Sequence, residues 1–253
     1  MPFSDTHCHI DFAAFDGVRN ELLVRCEQAG IELIVVPGTV REGWRKILLL
    51  CSQFKSLRPA LGLHPYFVNE HHEVDLEVLD QQLMDDSSSV VAVGEIGLDA
   101  HVNDMPRQQY FFESQLSLAE KHKLPVIIHS RKMHSQLVGV LKRYAITGGV
   151  VHAFSGSRQE MEQFVALGLK IGVGSVITWP RSTKTRAAIQ SAPLESLVLE
   201  TDSPDMPIVG QGKGQSTPLN VIPIFESLCM LRSESPEELG VALWNNSLSL
   251  YRC

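Results

Sequence analysis

The chain lacks any C-x-x-C pair: its five cysteines, Cys8, Cys26, Cys51, Cys229 and Cys253, are odd in number and widely scattered. That excludes a cysteine zinc ribbon and a disulfide framework, and it points to free thiols in a reducing compartment. There is no excess of positive charge either, because 22 Lys and Arg against 29 Asp and Glu leave a formal net charge of -7. A broad grip on duplex nucleic acid needs many cations set against phosphates, so that mode of binding is disfavoured. Phosphate chemistry is not, since bound divalent cations can invert the sign of an acidic cleft. No apolar run reaches the roughly 18 to 20 residues that span a bilayer, and Met1-Pro2-Phe3-Ser4-Asp5 has no basic region followed by an apolar one. The expectation is a cytoplasmic location, with no membrane partner and no obligate protein partner. Linkers rich in Ser and Gly, composition breaks and sequence repeats are also missing, so residues 1–253 are expected to form one domain.

What the sequence does contain is alternation. Hydrophobic residues at 44% and charged residues at 20% match soluble globular chains, which sets aside disordered and coiled-coil readings. Apolar strand-like runs are expected at 3–7, 31–36, 58–63, 90–95, 125–129, 149–152, 169–173 and 196–201. Between them, 17–29, 41–55, 74–84, 106–122, 132–143, 157–167 and 182–191 have helical length and spacing, and 217–230 and 236–250 read as closing helices. Eight βα units in a chain of 253 residues predict an α/β fold, a single (β/α)8 TIM barrel. A doubly wound open sheet is the architectural rival, but no glycine fingerprint follows the first strand. The irregular stretch 203–217 is expected to be a substrate-binding loop.

Titratable residues punctuate the ends of these apolar runs: His7 and His9, Glu95, His129, His152 and Asp202. In a parallel barrel those ends converge on one face. His7 and His9 form an H-x-H pair, and on a strand of period two both imidazoles share a side, where they can chelate one ion. Glu95 follows four apolar residues and a glycine-flanked turn of sequence, Val-Gly-Glu-Ile-Gly-Leu-Asp. A carboxylate buried there needs a cation, either an Arg or Lys or a metal, and its two oxygens can bridge two ions. His129 and His152 each end an apolar run. Each alone reads as a core histidine bonded to backbone; together, beside Glu95, they read as ligands. Asp202 lies in Glu-Thr-Asp-Ser-Pro, good turn chemistry, yet facing a barrel mouth it can also ligate metal and accept a proton from water. Four imidazoles and two carboxylates suit two divalent ions, zinc first, with manganese, magnesium, nickel and cobalt as further options. Two such ions, offset by two carboxylates and a hydroxide, leave about one positive charge, which favours a phosphate anion over a neutral amide.

These residues resemble the TatD family of metal-dependent hydrolases across nearly the whole chain. The resemblance rests on Asp5-Thr6-His7-Cys8-His9-Ile10-Asp11, Gly62-Leu63-His64-Pro65, Gly94-Glu95-Ile96-Gly97-Leu98-Asp99, His129-Ser130-Arg131, His152-Ala153-Phe154-Ser155-Gly156-Ser157 and Glu200-Thr201-Asp202-Ser203-Pro204. It implies that His7, His9 and Asp202 hold one ion, that His129 and His152 hold the second, and that Glu95 is shared. It also implies that His64 contacts substrate phosphate, and Arg131 is a candidate bidentate phosphate clamp or, equally, one half of a surface ion pair. The implied activity is that of a deoxyribonuclease with 3′-to-5′ action on single-stranded DNA ends, with Asp202 and Glu95 as the catalytic pair. The chain departs from the family's pattern at Ala100-His101-Val102-Asn103-Asp104 and in the Asp205-Met206-Pro207 loop, where substrate would be read. Two other functions fit the same ligand set: hydrolysis of a small phosphoester, amide or lactone, and a noncatalytic metal-binding scaffold.

Overall fold

The computed structural model describes residues 1–87 and 89–252, so Cys253 lies outside the described residues. Eight parallel strands follow one another around a barrel in chain order. They are β1 (Phe3–Asp5), β2 (Ile31–Pro37), β3 (Leu57–Leu61), β4 (Ala92–Asp99), β5 (Val126–Arg131), β6 (Gly149–Val151), β7 (Leu169–Val173) and β8 (Leu197–Leu199). The seam between β8 and β1 is closed by residues just beyond the strands: Thr6 N–H donates to Leu199 O at 2.9 Å, and Cys8 bridges to Ser203. The fold is the expected (β/α)8 barrel. Most strand ends fall within two residues of expectation, and β4 departs furthest. The first and last strands stop at Asp5 and Leu199, because pairing gives way there to loop hydrogen bonds, and β4 runs on to Asp99 where an end at residue 95 was expected.

Helices α1 (Arg19–Gln28), α2 (Arg41–Gln53), α3 (Glu73–Asp85), α4 (Met105–His122), α5 (His134–Leu141), α6 (Arg158–Val165) and α7 (Thr183–Ser191) follow the strands in turn, and α8 (Val221–Cys229) and α9 (Pro236–Tyr251) close the chain. Alternate strand residues divide the core in two. Leu33, Val35, Ala60, Ala92, Ile127, Val150 and Val198 fill the barrel interior, with Leu250 and Tyr251 of α9 packed against them. Their neighbours along the strands, such as Ile34, Val93, Ile128 and Val151, face the helices. Cys8, Cys26, Cys51 and Cys229 are free thiols. Among the described residues no helix is long and apolar enough to cross a membrane.

Helix α4 does more than cover the sheet. Its buried face carries Phe111, Phe112, Leu116 and Ala119, and also two fully buried glutamines seven residues apart on the same side, Gln108 and Gln115. Gln115 accepts from Leu63 N–H at 2.7 Å and donates to Leu63 O at 3.1 Å, fixing the segment that leaves β3. Gln108 does the same for the end of β4, accepting from Asp99 N–H at 2.8 Å and donating to Asp99 O at 3.1 Å. These side chains give the backbone at the barrel mouth the partners that strand pairing no longer supplies.

Gln115→Ala leaves the Leu63 N–H and C=O buried without partners, at a cost of about 2–4 kcal/mol; a lowered urea midpoint with unchanged m-value is the expected result. A second test concerns Glu160 in the capping box of α6. Burial pushes its carboxyl up, but hydrogen bonds from the Ser157 hydroxyl and amide, with Lys184 and His134, outweigh this and hold it at about 2. A depressed folded pKa stabilises the fold above the ordinary value of 4.5 and loses that contribution as pH falls toward 2. The stability gap between the native chain and Glu160→Gln is therefore expected to be constant above pH 5 and to shrink as the solution is acidified.

Candidate metal centre

The interior parity of each strand decides which side chains reach the mouth. Ile127 and Val150 point inward, so His129 and His152, two residues on, point inward as well; Val198 carries the same parity to Glu200 and Asp202. Strand β4 breaks this rule. Ala92 is interior, which by strict alternation would turn Gly94 inward and Glu95 out among the helices. The pairing with β5 runs from Val93 opposite Val126 to Ile96 opposite Ile128, three residues against two. That one-residue bulge re-aims Glu95 into the barrel.

Around Glu95 the candidate residues come together. Its Oε2 lies 3.1 Å from His7 Nε2 and 3.5 Å from His9 Nε2. Those two nitrogens are 3.3 Å apart, and Asp202 Oδ1 stands 3.4 Å and 3.7 Å from them. A tetrahedral zinc with ligands at 2.0–2.1 Å has edges of about 3.4 Å between ligand atoms. The four donors therefore have the spacing of a first coordination shell. Glu95 Oε1 faces a second group: His152 Nε2 at 2.7 Å, His129 Nδ1 at 2.9 Å and His64 Nε2 at 2.7 Å, with His129 and His152 3.2 Å apart. The rings of His7 and His152 stack at 3.9 Å, so the two groups adjoin. Nitrogen and oxygen donors with no Arg or Lys among them fit one or more divalent cations; the alternative of an arginine or lysine partner for Glu95 is not what surrounds it.

The charge state follows the same geometry. Burial pushes the Glu95 carboxyl up, but the neighbouring imidazoles of His152, His64 and His7 outweigh burial and hold it well below the usual carboxylate range. Burial acts to lower His152, and the opposing pull of Glu95 raises it to about 10. His64, where burial wins, falls to about 4, and burial holds His7 well below the ordinary imidazole value. Asp202 is raised, chiefly by burial, as are Asp5, to about 7, and Glu200, to about 8. Burial acts on every one of these groups, and among them only in the pair of Glu95 and His152 does the opposing pull of the neighbour outweigh it in both partners.

Supporting residues surround the cluster, and several carry no clear signal in the sequence. Asp99 Oδ2 bonds His129 Nε2 at 3.1 Å, leaving Nδ1 for the centre. Its other oxygen accepts from His101 N–H at 2.8 Å, so the divergent Ala100–Asp104 loop is tied to the same carboxylate. Gly97 lets β4 and β5 approach: it has φ +146°, and a Cβ there would sit 2.0 Å from His129 O. Glu200, fully buried, accepts from the Ala153 amide next to His152, and a Cβ on Gly172 would fall 2.3 Å from its Oε2. Asp5 accepts from the Thr201 amide at 2.9 Å and from its hydroxyl at 2.6 Å, holding the segment before Asp202. Arg131, expected as a phosphate clamp, is the last residue of β5, largely exposed, with Nη1 4.0 Å from Asp99. The loop at 203–217 is pinned to the segment after β7 through Trp179 Nε1 to Pro207 O at 3.2 Å and Val209 N–H to Thr178 Oγ1 at 3.0 Å.

A family model described as TatD related DNase matches residues 4–252. The chain belongs to the TatD family. Within it, a protein of Escherichia coli named uncharacterized metal-dependent hydrolase YjjV is 47% identical over 252 residues, covering 98% of this chain and 97% of its own. The crystal structure of the Escherichia coli TatD homologue YjjV superposes with a TM-score of 0.96 at 48% identity, covering 99% of this chain and 98% of the other. A 3′-5′ ssDNA/RNA exonuclease TatD of Pectobacterium carotovorum is 29% identical over 206 residues, 79% of this chain and 78% of its own. As a TatD family member, the chain is a metal-dependent hydrolase whose His, Glu and Asp cluster can hold metal.

Partners of this kind orient a ligating histidine and raise its basicity. Asp99→Asn is expected to weaken divalent-metal binding about 10- to 100-fold, measured by competition with a chelator. Unchanged affinity would show that Asp99 serves only the loop.

Proposed function

We propose that the chain is a divalent-metal-dependent phosphodiesterase of the TatD deoxyribonuclease type, acting 3′-to-5′ on single-stranded DNA ends. The observation that carries this reading is the position of Glu95, whose two oxygens face two separate donor groups. His7, His9 and Asp202 with Glu95 Oε2 form the first site, and His129 and His152 with Glu95 Oε1 the second. Zinc suits this donor set best, with manganese, magnesium, nickel or cobalt as substitutes. Divalent ions held there supply Lewis acidity, making water a stronger acid and offsetting charge on phosphate oxygens.

Asp202 is the general base. Its side chain keeps partial exposure at the mouth, while Glu95 is sealed beneath. A carboxylate raised by burial accepts a proton more readily than an ordinary one, and Asp202 is placed to take it from the attacking water. His64 stands in the second donor group too, its Nε2 2.7 Å from Glu95 Oε1, and we assign it to the phosphate, leaving His129 and His152 with Glu95 to hold the ion. Arg131, with an exposed guanidinium on the rim, pairs with the next phosphate along the strand. The acidic surface favours a short or terminal single-stranded substrate over a long duplex footprint. The 3′-5′ ssDNA/RNA exonuclease name of the Pectobacterium relative supports the same substrate class.

The test pairs elemental analysis of the purified protein with cleavage of a 5′-labelled single-stranded oligonucleotide in zinc, manganese, magnesium or chelator. Two metal equivalents and a chelator-sensitive ladder shortening from the 3′ end are expected. Metal without cleavage of any phosphodiester would overturn the reading. Glu95→Gln is expected to lose metal and activity together, by a factor of about a thousand or more in kcat, as removal of a centrally placed electrostatic group does.

A further inference from the structure

The rim residue Tyr66 has no role in the chemistry above, yet it is the most exposed aromatic side chain among the described residues, at 60%. Single exposed aromatics need no explanation in general. Three features set this one apart. It lies in the short 3-10 helix Pro65–Phe67 that leads from β3 toward α3 on the catalytic face. Its backbone N–H donates to His64 Nδ1 at 2.9 Å, and the opposite nitrogen of that same ring contacts Glu95 Oε1 at 2.7 Å. Two Cα steps separate Tyr66 from His64, about 7.6 Å at most.

The turn that carries the ring is also held at its backbone. Pro65 fixes the turn at its first position, and Phe67 N–H donates back to His64 O at 3.0 Å. His71 Nε2 bonds that carbonyl at 2.8 Å, and Gln115 clamps Leu63 just before it. The Phe67 ring packs nearly perpendicular to the Tyr66 ring, with centroids 5.1 Å apart at 79°, and Tyr66 stays largely open to solvent beside it. Phe67 and Phe12 also lie near the cluster, but Phe67 packs on His64, at 6.0 Å and 66°, and one face of Phe12 is already spent on His9, at 4.5 Å and 19°.

We infer that Tyr66 is a specificity residue: a stacking platform for the unpaired base of the nucleotide whose phosphodiester lies at the Glu95 centre. The inference rests on the phosphodiesterase reading. A flat ring on a rigid turn loses little entropy on binding, and every base offers a π-face, so such a platform grips a strand without reading its sequence. A paired base keeps its faces within the duplex stack, so the same platform discriminates in favour of unpaired ends. It also supplies affinity that a chain of net charge -7 does not obtain from phosphates alone.

The experiment compares kcat/KM of the metal-loaded enzyme on a single-stranded oligonucleotide and on the same oligonucleotide with abasic residues at its 3′ end. The native chain is expected to prefer the intact strand about tenfold, mainly through KM. Tyr66→Ala should bring that ratio close to one, and Tyr66→Phe and Tyr66→Trp should keep it. Bound metal, measured on each variant, separates a stacking defect from a damaged centre. A native ratio near one, or a ratio that survives in Tyr66→Ala, overturns the inference while leaving phosphodiester cleavage intact. Failure of the native chain to cut either strand overturns the phosphodiesterase reading and this inference with it.

Discussion

One buried carboxylate organises the mouth of this barrel. Glu95 is almost wholly removed from water and touches five imidazoles through its two oxygens. A lone ionised carboxylate in such a place is prohibitively unfavourable. The surrounding strands therefore deliver compensating groups from several directions, and each is steered by its own neighbour: Asp99 for His129, Glu200 for the turn after His152, Asp5 for the segment before Asp202. The centre is less a set of ligands than a balance of charge that no single strand achieves.

That balance constrains the backbone. Gly97 and Gly172 occur where a Cβ would collide with His129 O and with the Glu200 carboxylate, so the glycines are spatial conditions for the acid and imidazole positions. The bulge in β4 is a condition of the same kind. It interrupts the pairing with β5 for one residue and returns to register at Ile96. Helix α4 then fastens the end of β4 and the segment that leaves neighbouring β3 with glutamine side chains, so the irregular backbone around Glu95 is anchored from the outside.

Much of this was legible in the sequence. Parallel strands covered on both faces read as continuous apolar runs, which is why all eight were found and why His129, His152 and Asp202 stood out at their ends. The H-x-H pair was legible because period two fixes its geometry. Glu95 was identified by its burial cost, yet its orientation was not readable, because a bulge is a property of pairing between strands and leaves no mark on one strand alone. Asp99 stayed without a role because β4 was expected to end four residues before it. Gln108 and Gln115 were invisible for a different reason: polar residues in an amphipathic helix read as its wet face, and only the loops they clamp show otherwise.

The closure of the barrel and the assembly of its first donor group occur in the same place. Asp202 N–H donates to His7 O at 2.8 Å, and His9 N–H to Ser203 O at 2.9 Å, so the seam joins the beginning of the chain to a point nearly two hundred residues later. A ribosome must therefore release all eight strands before His7 and His9 can meet Asp202. Until then the two histidines sit on an unpaired strand edge without the Asp202 carboxylate. The long sequence separation makes this the costliest loop closure in the fold. Emergence of the segment after β8, rather than any local folding event, is thus the moment at which the nascent protein acquires its full first donor group.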